Sequence, residues 1–334
     1  MKALALKRND TIAVFSPSAA ATYKFPKRYK RGKEYLKKAG YRFYEGRLTG
    51  AFDFYRSGSI QERVKELNDL IQNPEIRCIM SSIGGMNSNA LLPYIDYEAL
   101  KKDPKIIVGY SDVTAVLLAI YAQTGIPTFY GPAVVASFGE YPPLVDQTFD
   151  YFRSVVEEGA QYPQTIKNPE QWTDAFIDWE RQTEAKILTN NSLITLREGK
   201  VTGRLIGGNL STMMGIWGSP YMPEIKNGDI LLIEDCMKDA ATVERGFAFL
   251  KINGVFEKIG GLILGKHEKF NDLGTGRRPY EILLEVMGKP QIPVLAEYDC
   301  CHTHPMITLP IGGQITLDAN EQSLILEESP LAYR

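Results

Sequence analysis

The stretch KIIVGYSDVTAVLLAIYAQTG, Lys105 to Gly125, changes character at one residue. Its first half, KIIVGY, is a short apolar run that reads as a buried strand, and its second half reads as a helix stopped by Gly125. Ser111 stands at the joint. Where a strand breaks straight into a helix, the residue at the turn is exposed and the first amides of the helix point outward beside it. Such a turn can present a nucleophile and stabilise an oxyanion together. The glycine usual two positions later is Val113 here, and serine is also a favoured helix cap, so GYSDVTA alone leaves both readings open.

Outward from this joint, the chain from Thr11 to about Gly131 alternates apolar runs with amphipathic stretches: TIAVFS, YKRGKEYLKKAG, YRFYEG, IQERVKELNDLIQN, IRCIMSS, KIIVGY. That alternation predicts βαβ units and a mostly parallel sheet. Helices are expected to end at Gly40 and before Pro74. Between about Gly159 and Lys200 the pattern fails. QYPQTIKNPEQWTDAFIDWERQTEAKILTNNS is polar, carries prolines and has no sustained period, and it reads as a linker or a long functional loop. Order returns with VTGRLIGG, GDILLIED, TVERGFAFLKINGVF, IGGLILGK, RPYEILLEVMG and IPVLAEY, and GQITLDANEQSLILEE closes the chain as a β-hairpin. The expected division is an N-terminal α/β domain over residues 1–158, a linker and active-site loop over 159–200, and a mixed α/β domain over 201–334.

A chain of 334 residues, 44% hydrophobic, is long enough for two cores. Its 38 Lys and Arg nearly balance 40 Asp and Glu, so no global field draws in nucleic acid or an anionic membrane, and a small partner is expected. Lys7, Arg8, Asn9 and Asp10 interrupt the first apolar run before it reaches signal-peptide length, and no later run reaches membrane-spanning length. A cytoplasmic protein is expected. Four cysteines (Cys78, Cys236, Cys300, Cys301) are too few and too unevenly spaced for a disulfide framework, and no CxxC pair is present to hold zinc.

A serine nucleophile needs a base, and only three histidines are available. His267 follows the run GGLILGK, and His302 and His304 lie in CCHTHPMITLPIG. One of the pair, His302 or His304, is expected to be the base. The HTH spacing lacks the i, i+4 geometry and third ligand of a metal site. The orienting acid is expected at the end of GDILLIED, where Glu234 and Asp235 stand at the C-terminal end of a predicted strand. The order Ser111, Glu234, His302 matches one of the known triad orders.

Two glycine-rich turns complete the pattern. SSIGGMNSN follows the run IRCIM, and its amides are suited to an oxyanion beside Ser111 or to a phosphate; GRLIGGN is similar. Each alone is more often a tight turn. Neither is GxGxxG or a Walker loop, which counts against a nucleotide-binding module or an NAD-type oxidoreductase.

Together GGMNSNALLPYIDYE, GYSDVTA, GRLIGGNLSTMMG, ILLIEDCMKDAATVER and CCHTHPMITLPIG resemble the LD-carboxypeptidase family of serine peptidases, and most closely its microcin C self-immunity branch. FYRSGSIQERVKELN, TFYGPAVVASFGEYPPLVD and RRPYEILLEV extend the resemblance over nearly the whole chain. The resemblance implies an N-terminal Rossmann-like domain facing a C-terminal domain, a homodimer, no metal or organic cofactor, and a triad of Ser111, Glu234 and His302. The implied oxyanion donors are the backbone of Gly85 or Met86 and of Asp112. Many family members read G-H-x-D-P where this chain has Cys301, His302, Thr303, His304 and Pro305; the HTHP form is that of the immunity branch. That branch cuts the amide joining a C-terminal aspartyl group to a modified nucleotide, with a loop tryptophan stacked on the base. The resemblance therefore implies a peptide-nucleotide substrate, with a murein tetrapeptide as the alternative. It makes Trp179 the stacking candidate with Trp172 behind it, and it places Asn209, Lys238 and Glu268 in the pocket.

Overall fold

The computed structural model describes residues 1–333. Four strands appear where the alternation predicts them, β1 (Thr11–Phe15), β2 (Arg42–Glu45), β3 (Ile76–Ser81) and β4 (Ile106–Gly109), and β5 (Thr128–Tyr130) joins them. All are parallel to their neighbours, in the order β5-β4-β3-β1-β2. Helices Pro26–Lys38, Ile60–Gln72, Tyr97–Lys102 and Thr114–Thr124 lie in the four crossovers. The second begins at a capping box, in which Ser59 Oγ accepts from the Glu62 amide and Glu62 accepts from the Ser59 amide. The chain leaves β1 in one direction to β2 and in the other to β3, so the crevice at their C-terminal ends is a topological switch point, where open α/β sheets place ligands.

The interval 159–200 holds more structure than its composition predicts. It contributes β6 (Gln164–Ile166), the two-stranded pair β7 (Gln171–Trp172) and β8 (Thr189–Asn190), and β9 (Ile194–Arg197). Then follow β10 (Lys200–Asn209), β11 (Ile230–Glu234), β12 (Gly261–Gly265), β13 (Val294–Tyr298), β14 (Leu309–Ile311), β15 (Gln314–Asp318) and β16 (Ser323–Leu326). The second sheet runs β6-β16-β15-β10-β11-β12-β13-β9, so β6 and β9 close its two outer edges and the residues between them form a flap. These edge strands are short and half-exposed, and they leave no alternation to read. β14 crosses back to pair antiparallel with β5, so residues from the C-terminal half complete the first sheet.

β10 serves both styles of pairing: Lys200 to Arg204 lie antiparallel to β15, and Leu205 to Asn209 lie parallel to β11. Its GRLIGGN segment is a strand rather than a turn. Gly207 and Gly208 have φ of 136° and 141°, a region that favours glycine. A Cβ on Gly207 would run into the Leu232 carbonyl, and one on Gly208 would lie 2.8 Å from Thr114 Cγ2 and 2.9 Å from the Tyr130 ring. Bare Gly208 lets the second sheet approach helix Thr114–Thr124, whose residues Thr114 to Ile120 are all buried, and bare Gly207 lets β10 pair closely with β11. Among the described residues no helix is long and apolar enough to cross a membrane.

The glycine contacts give a stability test. Gly207→Ala should cost about 3 kcal/mol or more, because a strained φ is joined by a backbone collision. Gly218→Ala has the strained φ (75°) and nothing within 4 Å, and should cost only about 1–2 kcal/mol. Denaturant titration of both variants checks this; equal losses would mean that the close approach at Gly207 is not enforced.

Candidate active site

Ser111 stands two residues past the end of β4 and has φ of 62°, in the left-handed region that serine seldom enters. A single 3-10 turn, Ser111–Val113, leads into helix Thr114–Thr124. This is the strained strand-to-helix elbow that exposes a hydroxyl. Its backbone is fixed from three sides. The Ser111 amide donates to the Tyr130 hydroxyl (3.2 Å), the Ser111 carbonyl accepts from Thr114 Oγ1 (2.6 Å), and Gly84 packs so close that a Cβ there would lie 2.8 Å from Ser111 Cβ.

The glycine loop after β3 is bound to the same elbow. Asp112 Oδ2 accepts from the amides of Asn87 (3.1 Å) and Ser88 (2.9 Å), and Ser88 Oγ donates to the Asp112 carbonyl (2.5 Å). Ser18, from the loop after β1, accepts the Met86 amide at 3.0 Å, and the Met86 side chain is exposed. Among the described residues nothing accepts from the amides of Gly85 and Asp112. The buried Arg63 guanidinium braces this loop through the Pro17 carbonyl (2.7 Å) and Asn87 Oδ1 (2.7 Å).

Glu234 ends β11 and is fully buried. One carboxylate oxygen pairs with His302 Nδ1 at 2.6 Å; the other accepts from the Tyr130 hydroxyl (2.6 Å) and Asn209 Nδ2 (3.0 Å). Burial pushes this carboxyl upward, but the His302 imidazole together with the Tyr130 and Asn209 donors outweighs it and holds Glu234 below the ordinary glutamate value. Burial likewise pulls the His302 imidazolium down. The Glu234 carboxylate, helped by Cys236, overcomes it and raises His302 well above an ordinary histidine. Tyr110, the residue before Ser111, sets its ring edge-on to the imidazole with centroids 4.9 Å apart.

The structure separates the three histidines. His267 is part-buried, with Nδ1 3.1 Å from the Gly265 carbonyl, and burial lowers its pKa. His304 is buried, its Nδ1 has no hydrogen-bond partner, and burial pushes its pKa well below the usual value. Its backbone exchanges two hydrogen bonds with Thr173 of the flap. Among the described residues only His302, of the three, faces a carboxylate at hydrogen-bond distance. Asp235, the second acid at the strand end, accepts from Ser211 Oγ (2.5 Å) and amide (3.1 Å) and lies 3.9 Å from Lys238 Nζ.

The pocket residues named from the sequence divide. Asn209 is buried: its Nδ2 faces Glu234 and Asp235, and its Oδ1 caps helix Leu210–Met214 by accepting from the Thr212 amide. Lys238 is partly exposed beside Asp235. Glu268 is half-buried, and burial raises its pKa against the influence of His302 and Lys186. Trp179 lies on the flap with the Arg28 guanidinium 4.4 Å over its ring and the Phe25 ring edge-on at 4.9 Å. Trp172 instead covers the Lys266 ammonium, 5.0 Å from the ring centre. The sequence reading missed Tyr130, which links the Ser111 amide to Glu234; its position at the end of β5, beside β4, is the one signal that points to it.

Comparison with known proteins places the whole chain in one family. Residues 12–131 match the LD-carboxypeptidase N-terminal domain and residues 202–317 the C-terminal domain. A putative carboxypeptidase of Vibrio cholerae is 57% identical over 98% of this chain and 97% of its own length. The microcin C7 self-immunity protein MccF of Escherichia coli is 52% identical over 97% of this chain and 94% of its own. A solved structure of wild-type MccF superposes with a TM-score of 0.97 at 51% identity, over 99% of this chain and 100% of that one. MccF has also been solved with aspartyl sulfamoyl adenosine and with glutamyl sulfamoyl guanosine, as a tryptophan-to-phenylalanine mutant with adenosine monophosphate, and as an active-site mutant with a serine, an asparagine and a lysine changed to alanine. An elbow serine, a buried histidine–carboxylate pair and matches across both halves of the chain converge: this protein belongs to the LD-carboxypeptidase family of serine peptidases.

Proposed function

We propose that this hydrolase uses Ser111, His302 and Glu234 as a catalytic triad and cleaves the amide between an acidic aminoacyl group and a nucleotide, as a microcin-immunity or detoxifying enzyme. The observation that carries it is the 2.6 Å pair between His302 and the fully buried Glu234, joined through the Tyr130 hydroxyl to a serine on a strained elbow. The nucleotide part rests on the aminoacyl sulfamoyl nucleosides bound by MccF. With Nδ1 given to Glu234, the other imidazole nitrogen takes the Ser111 proton as Oγ attacks the carbonyl carbon. The amides of Gly85 and Asp112, free of other acceptors, hold the oxyanion; the Met86 amide faces Ser18 instead. The imidazolium passes its proton to the leaving nitrogen, and water then releases the acid from Ser111 by the reverse route. Trp179, with one face on Arg28, offers the other to the base, and Lys238, Glu268 and Asn209 take the polar groups of the acyl side. The cytoplasmic location expected from the short apolar runs and the homodimer implied by the family resemblance belong to the same reading.

Three experiments test it. Incubation with an aspartyl nucleotide amide and, separately, with a murein tetrapeptide should release product from the first; Ser111→Ala should reduce that rate by about four orders of magnitude with little change in melting temperature. Turnover of the tetrapeptide alone would replace the nucleotide reading with the murein one.

The pH profile follows from the direction of the His302 shift. The base works only when neutral, and Glu234 raises its pKa, so kcat/KM should fall with acidification along a limb centred above the ordinary histidine value of about 6.5. Glu234→Gln removes the raising carboxylate and leaves burial, so the limb should move to lower pH while the plateau drops by about 10³–10⁴. A limb that stays in place in this variant would mean that another group titrates.

Trp179→Ala should raise KM for the nucleotide substrate about ten- to a hundredfold with a smaller change in kcat, since stacking on a base contributes about 1–3 kcal/mol in ground and transition states alike. An amide of the same acid without a base should show no such change. Equal losses on both substrates would make the ring a structural support for Arg28.

A further inference from the structure

The flap leaves the second sheet at β6 and returns at β9, and both its feet rest on one carboxylate. Asp299, one residue past β13 and fully buried, receives three donors on Oδ2: Lys266 Nζ at 2.7 Å, Asn168 Nδ2 at 2.6 Å and Asn191 Nδ2 at 2.6 Å. Its Oδ1 accepts from Thr303 Oγ1 at 3.1 Å, and its amide donates to Asn168 Oδ1 at 3.1 Å. Asn168 precedes the β7/β8 pair and Asn191 follows it. A second fastening lies on the far side of His302, where the Thr173 amide donates to the His304 carbonyl (2.8 Å) and the His304 amide to the Thr173 carbonyl (3.0 Å). The loop Asp299–His304, with His302 at its centre, is thus bound to the flap before and after the imidazole.

Charge balance does not require this arrangement. Lys266 already neutralises Asp299, and the remaining acceptor positions of a buried carboxylate are as well satisfied by water or local amides as by side chains from a distant segment. What two flap asparagines on one oxygen add is register, the best-attested use of a buried polar network.

We propose that Asp299 is a positioning residue that locks the base of the flap to the His302 loop, so that the flap and the imidazole take up their working positions together. The inference rests on the triad reading of His302. It means that a disturbance at the foot of the flap reaches kcat through the imidazole, although neither asparagine touches Glu234 or Ser111.

The test uses the full-length enzyme and the double variant Asn168→Ala/Asn191→Ala, which keeps the Lys266–Asp299 pair. One readout is the rate at which a fluorophosphonate labels Ser111, a reaction that needs the base but no nucleobase and no flap contact. The other is amide hydrogen exchange at Thr173 and His304, with the amides of β11 as reference. The lock predicts labelling slowed about ten- to a hundredfold, as for a misplaced catalytic group, with faster exchange at Thr173 and His304 and unchanged exchange in β11. Faster exchange with labelling at the wild-type rate would overturn the coupling, and unchanged exchange would overturn the lock itself. If the double variant does not fold, Asn191→Ala alone carries both readouts. A wild-type enzyme that the reagent never labels would sink the hydrolase reading instead, and the exchange data, which need no reagent, tell the two failures apart.

Discussion

A carboxylate removed from water must be met by donors on every side, and at the centre of this protein Glu234 is met by three that come from separate parts of the chain. Tyr130 reaches it from the last parallel strand of the first sheet, Asn209 from the end of β10, and His302 from the loop after β13. Removing one partner from such a charge typically costs about 3–5 kcal/mol, so the carboxylate acts as a gauge for all three elements. The Tyr130 hydroxyl also takes the Ser111 amide, which brings the strained elbow under the same control. The bare backbone of Gly208 lets these parts meet, because a side chain there would run into Thr114 and Tyr130 and hold the second sheet off the first.

The flap is held in a similar way at its middle. Gln182 is buried and bonds to both Arg28 and Glu140, themselves a fully buried ion pair at 2.9 Å. Arg28 is also the cation under Trp179. The proposed stacking ring therefore sits on a support whose geometry is set by charge, and the orientation of the indole is fixed before any ligand arrives.

Much of this could be read from residues alone. The βαβ alternation gave β1 to β4 in their correct places, the abrupt change at Ser111 marked the elbow, and Glu234 was found because acids at strand ends in parallel sheets face the crevice. Three features were not legible, for different reasons. β6, β9 and β14 are three or four residues long and are defined by their partners far away in sequence. The choice between His302 and His304 depends on which ring meets Glu234, a tertiary fact. Tyr130 and Asp299 look like ordinary strand-end residues, and their roles lie in hydrogen bonds across more than a hundred positions. The residue types at the site follow from local chemistry; the supports beneath them follow from topology.

The return of β14 to the first sheet bears on how the protein is made. Until residues 309–311 have left the ribosome, β5 has an open edge, and Tyr130 at its end lacks both the β14 pairing and the His302 that shares its carboxylate. Most of the N-terminal sheet can collapse early, since its neighbours are close in sequence, but its outer strand must wait for residues 309–311. The elbow at Ser111 thus stays unfinished until a strand from the other half of the chain has been made and has paired with β5.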